Sequence, residues 1–162
     1  MIKLLRTIRF DASDEKVFAV AAVADDWAVS GSFVFADAAP DALTGQTRQA
    51  FANGFLGIEC WGWSTFATVS EATDSMVRAV EARLADHFVD KYGAPSREAA
   101  MPAAQAEIAF VIDLCLEVPI NTVFTVRRVL DDQGRIKEEF RTIKAPLGEA
   151  MHARIWRSDD EA

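Results

Sequence analysis

The first ten residues set Ile2, Leu4, Arg6, Ile8 and Phe10 on one side and Lys3, Leu5, Thr7 and Arg9 on the other. That period of two predicts a half-buried strand. Asp11 to Asp14 then turn the chain. Residues 16 to 23 are a short apolar run whose length suits a strand or a short helix, and they are read as a strand. From Trp27 to Ala36 the alternation returns: Trp27, Val29, Gly31, Phe33 and Phe35 face one way and Ala28, Ser30, Ser32 and Val34 the other, which predicts a further strand. Pro40 at a first helical position, with Leu43, Thr47, Ala50 and Phe51 on one face, predicts a short helix weakened by Gly45 and stopped in a left-handed conformation at Asn53-Gly54. The aromatic and β-branched tract from Phe55 to Ser70 is divided by Gly62 into two strands, or one strand with a bulge.

In the middle of the chain the period changes to 3.6. Thr73 caps a helix over 74 to 92 with Val77, Val80, Leu84, Phe88 and Tyr92 as its stripe, stopped by Gly93 and Pro95. Ser96 caps a second helix over 96 to 116, interrupted or restarted at Pro102, with Ile108, Val111, Ile112 and Cys115 on one face and Pro119 closing it. Residues 121 to 144 then read as a hairpin. A three-residue loop, Asp132 to Gly134, sets Leu130 against Ile136, Arg128 against Glu138, Val126 against Phe140 and Arg127 against Glu139. A register one residue shorter puts Arg128 opposite Lys137, a like-charge pair, and is rejected. Met151 to Arg157 is expected to add a short strand or a docking helix, and residues 158 to 162 are expected to be a frayed tail.

These elements predict an α+β fold: a largely antiparallel sheet of about five to seven strands, with the helical pair packed on one face, forming one domain over residues 1 to 157. Composition agrees, with a correction. Of the 162 residues 51% are apolar, but 28 are Ala, which favours helices and buries little area. The core therefore rests on Phe, Trp and the branched aliphatics. The net charge of -8 and a pI near 4.7 exclude a nucleic-acid binder or a binder of anionic membranes, because phosphate contacts need a basic footprint. Most of the acidity lies in the helical middle, and the last third is neutral and Arg-rich. No run of about 18 apolar residues occurs and the first residues do not build a secretory core, so a cytoplasmic location is expected. Cys60 and Cys115 lie far apart without a neighbouring His, reading as reduced core thiols with no metal and no cofactor.

The tract from Gly54 to Phe66 carries the candidate site. Trp61 and Trp63, spaced for one side of an extended segment, wall either an ordinary core or an apolar pocket with Ser64 on its rim and Glu59 or His87 as the polar group. Aromatic residues at strand spacing are usually core. Cys60 is a poor nucleophile beside Glu59, since a carboxylate raises a thiol pKa. His87 stands at the edge of a helical stripe with Asp90 one turn on, the place of a boundary histidine or of a weak base. The acids of that helix alternate with Arg78 and Arg83 and read as a solvated face. In the last third most arginines are matched by acids in the hairpin register, which leaves Arg141, Arg154 and Arg157 as the anion candidates. The usual hydrolase, metalloprotease, phosphate-loop and dinucleotide signatures are absent.

The segments Leu4-Leu5-Arg6-Thr7-Ile8-Arg9, Trp27-Ala28-Val29-Ser30-Gly31-Ser32-Phe33-Val34-Phe35, Gly54-Phe55-Leu56-Gly57 and Gly62-Trp63-Ser64-Thr65 resemble a family of small alphaproteobacterial proteins of unknown function, over almost the whole chain. The resemblance brings no catalytic residues. It implies an accessory or assembly role beside molybdenum-type enzymes or lipoate- and biotin-related ones. A non-enzymatic, self-associating interaction protein using its aromatic strands is therefore expected, as a homo-oligomer or with a protein partner. The alternative is a small-molecule binder or enzyme with an aromatic pocket between sheet and helices.

Overall fold

A computed structural model describes residues 1–143. Its seven-stranded sheet has the order β4-β3-β2-β1-β5-β6-β7, and every pairing is antiparallel. β1 (Ile2–Ile8) occupies the centre, as its alternation requires, between β2 (Trp27–Val29) and β5 (Phe66–Ala72). β3 (Phe55–Gly57) and β4 (Trp63–Ser64) extend one side. β6 (Val123–Leu130) and β7 (Ile136–Ile143) form the hairpin on the other, in the expected register with Arg128 opposite Glu138. Gly134, at φ 77°, supplies the left-handed residue that the three-residue loop demands. The segment expected at 151 to 157, the tail, His152, Arg154 and Arg157 lie outside the described residues.

The helical pair is α3 (Asp74–Tyr92) and α4 (Arg97–Cys115), inserted between β5 and β6 and packed on one face of the sheet. Thr73 accepts the Met76 N–H and Ser96 the Ala99 N–H, both at 3.1 Å, so each helix has its N-terminal cap. Pro102 does not interrupt α4. It stands in the second turn, where the missing N–H forfeits only the bond to Glu98, a loss the buried Ala100, Ala104, Ile108 and Val111 outweigh. An exposed fork from Arg97 to Asp86 (Nε to Oδ1, 2.7 Å) joins the two helices and holds the Asp86 carboxyl below its usual range.

Three expectations fail between residues 13 and 54. The strand from Trp27 stops at Val29, because Gly31 turns left-handed (φ 86°) and Ser32–Phe35 coil into a 3₁₀ turn. The turn divides the aromatic residues. Phe33 meets Phe88 at 5.0 Å, while Phe35 meets Phe51 and Trp63 at 5.4 Å each. Residues 16 to 23 form neither a full strand nor a full helix: α1 (Ser13–Val17) ends before Phe18, and an irregular strap follows whose one bridge is Ala21 to Trp63. The helix after Pro40 is split into a 3₁₀ turn, Pro40–Ala42, and α2 (Gly45–Asn53), and Gly54 leaves α2 in extended geometry (φ -97°) instead of a left-handed stop. Phe18, Phe35, Leu43, Ala50 and Phe51 make a second, smaller core beneath α2.

What holds α2 there is Arg128. The β5–β6 pairing spans only Phe66–Thr68 against Val123–Thr125, so the rest of β6 runs past the start of β5 and α2 lies beside it. The Arg128 side chain points inward with 0% exposure. Its Nη1 donates to the carbonyls of Ala50 (3.3 Å), Phe51 (2.9 Å) and Gly54 (2.9 Å), its Nη2 to the Ser30 carbonyl and to Ser30 Oγ (3.2 Å), and its Nε to Glu138 (2.8 Å). Ser30 Oγ donates in turn to Glu138. The carbonyls at the end of a helix lack partners of their own, and a cation there also suits the helix dipole. Replacing Arg128 with Met leaves the half-buried Glu138 without its cation and the carbonyls of Ala50, Phe51, Gly54 and Ser30 without their donor, and is expected to cost about 3 kcal/mol in urea unfolding. Glu138→Gln, which keeps an acceptor for Nε, is expected to cost less than half of that.

Candidate functional site

The turn Ile58–Gly62, between β3 and β4, is clamped from two sides. Asp26 is buried, and its carboxylate accepts the Glu59 N–H at 3.0 and 2.9 Å. Burial pushes the Asp26 pKa up, while the N–H groups of Glu59 and Cys60 hold it back. From α3, Arg83 donates to the Ile58 carbonyl (3.1 Å) and the Glu59 carbonyl (2.8 Å). Between these anchors Trp61 takes φ 57°, a conformation that costs a bulky residue of order 1–3 kcal/mol and persists only where its surroundings impose it. Its indole stacks flat on His87, with centroids 3.6 Å apart and planes at 9°. Tyr92 also meets the imidazole, edge-on at 5.6 Å. Burial lowers the His87 pKa, with Lys91 adding to the effect and Asp90 opposing it.

Trp61 and Trp63 therefore do not share one side of an extended segment. Trp61 belongs to the turn. The Trp63 ring fills the space over Gly31 and Gly54, where a Cβ would lie 2.8 and 2.7 Å from ring carbons. The strap of residues 18 to 23 covers the outer side of β4, through Ala22 N–H to Trp63 O (2.8 Å) and Trp63 N–H to Val20 O (2.9 Å). Strap, aromatic residues and α2 enclose an open groove of about 230 Å³, walled by Val20, Phe35, Trp61 and Trp63, with Gln46 and Thr47 from α2 as its polar groups.

The structure thus brings Trp61 and Trp63 to one groove and leaves the other sequence candidates outside. His87 reaches the groove only through Trp61. Ser64 is buried and spent on the Phe66 and Ile8 carbonyls (2.7 and 3.3 Å). Glu59 points to Arg83 at 3.7 Å. Sequence reasoning missed Asp26, Arg83, Gln46 and Thr47. The signal for Asp26 is faint, an acid directly before a strand, and the others look like ordinary helix surface. Cys60 is exposed, 3.9 Å from Asp26, and not a core thiol. Cys115 is one, its pKa pushed up to about 11 by burial. Arg141 pairs with Glu139 at 3.2 Å, which corrects its reading as a spare cation, while Glu139 stands opposite Arg127 as the register requires. Among the described residues no group of His, Cys, Asp and Glu is arranged to hold a metal ion, and no helix is long and apolar enough to cross a membrane.

The chain belongs to the DUF6505 family, a family of unknown function, whose model matches residues 1–158. No curated protein and no solved structure matches it.

The His87 stack makes stability depend on pH with a definite sign. A folded-state pKa below the ordinary 6.5 means that the fold favours the neutral imidazole. The stabilisation is complete above pH 6.5 and is lost as pH falls through the folded pKa. Urea midpoints measured down that range are expected to decline for the natural chain and to decline less for His87→Gln.

Proposed function

We propose that the protein is a non-enzymatic accessory or interaction protein of the cytoplasm, which associates through the aromatic groove with a second copy of its own chain. The observation that carries this reading is Val20. It lines the groove and is nevertheless 53% exposed, as is Val23 three residues along the same strap. Apolar side chains held at the rim of an open groove favour burial against another surface. At about 230 Å³ the groove falls below the roughly 300–1,000 Å³ of pockets that enclose small molecules, and it suits one or two large side chains. Among the described residues no ionisable side chain lines it. A two-fold dimer in which each strap enters the partner's groove satisfies both copies at once. The two free thiols accord with a reducing compartment. The family resemblance adds assembly beside molybdenum-type or lipoate- and biotin-related enzymes, which makes those enzymes the partners to try first.

A small-molecule ligand is the second reading. Gln46 and Thr47, beside two indoles, favour a flat apolar ligand with one hydrogen-bonding group.

Light scattering on a sizing column separates the two. The natural chain is expected to run as a dimer, and Val20→Glu as a folded monomer with unchanged circular dichroism. A natural chain that stays monomeric at the highest concentration reached would overturn self-association.

A further inference from the structure

We propose that a second groove, between α2 and the uncovered edge of β6, is an oxyanion site that takes the phosphate group of a small molecule. It lies apart from the aromatic groove and does not depend on that reading.

The backbone supplies the first donor. In the β6–β7 ladder the Asp131 N–H bonds the Arg135 carbonyl at 2.8 Å, so the odd-numbered residues of β6 turn their peptide groups to β7 and the even-numbered ones turn theirs away. β5 does not extend far enough to pair with these outward groups beyond Thr125. Asn53 Nδ2 donates to one of them, the Val126 carbonyl, at 3.3 Å. By the same alternation the Arg128 N–H turns to this edge, and Arg128 lines, with Arg48, Gln49, Asn53 and Arg127, a groove of about 410 Å³.

The charges converge on that edge. Arg48 and Arg127 are both exposed, one from α2 and one from β6, and among the described residues neither makes an ion pair. Glu139 stands opposite Arg127 in the register but is held by Arg141 at 3.2 Å. Beneath them the Arg128 guanidinium is matched by Glu138 and adds no net charge of its own. Two exposed arginines beside a strand edge that β5 leaves unpaired, lining one concavity on a chain of net charge -8, describe a local anion site and not a general basic surface. A duplex or single-stranded nucleic acid needs a run of phosphate contacts, and the groove provides for one phosphate.

Inorganic phosphate is the probe, compared with chloride at matched ionic strength, and binding is read by calorimetry and by thermal shift. The natural chain is expected to bind saturably and to gain thermal stability. Arg48→Gln and Arg127→Gln, at exposed positions that leave the fold intact, are each expected to weaken binding about tenfold, the size of a lost charge-assisted hydrogen bond. Arg78→Gln, on the exposed face of α3, is expected to bind like the natural chain. Absence of saturable binding, or equal binding by the natural chain and both groove variants, would overturn the site.

Discussion

A guanidinium without water around it must find an acceptor for each of its N–H groups, and in this fold one such group makes three separate stretches of chain meet. Arg128 reaches six acceptors: three carbonyls at the end of α2, the carbonyl and hydroxyl of Ser30, and the Glu138 carboxylate. Burying a charge of that kind without partners costs several kcal/mol, so α2, the turn after β2 and the hairpin are stable together or not at all. The exposed pairs are minor by comparison. Arg97 with Asp86 sits in solvent, where water and salt screen such a bridge.

Both grooves follow from where this contact sets α2. Gln46 and Thr47 of the helix line the aromatic groove, and Arg48, Gln49 and Asn53 line the groove at the edge of β6. The aromatic wall depends on a second anchoring. Asp26 holds the backbone N–H of Glu59 and Arg83 holds two carbonyls of the same turn. That double hold is what keeps Trp61 in a backbone conformation it would otherwise leave, with one face of its ring on His87 and the groove beside it.

Much of the fold was legible from side-chain period and charge pairing. The hairpin register followed from setting Arg128 against Glu138, and the two helices from their stripes and caps. The role of Arg128 was partly legible too, since it shares the inward face of β6 with Val126 and Leu130. What remained hidden was the acceptor set, because α2 and Ser30 are some 80 to 100 positions away in sequence. Gly31 shows the same limit. Alternation across Trp27 to Ala36 is intact, yet Gly31 turns left-handed, with the Trp63 ring and Leu56 packed where any side chain at that position would lie. Spacing likewise aligned Trp61 with Trp63, and only the anchored turn separates them.

Hydrogen exchange on Arg128→Lys tests the central claim most directly, since lysine keeps the charge but loses the planar fork. If one guanidinium couples these elements, amide protection should fall together in α2 and in the turn after Val29, while α3 and α4 keep theirs. Protection lost only within the β6–β7 hairpin, or lost evenly over the whole chain, would contradict it.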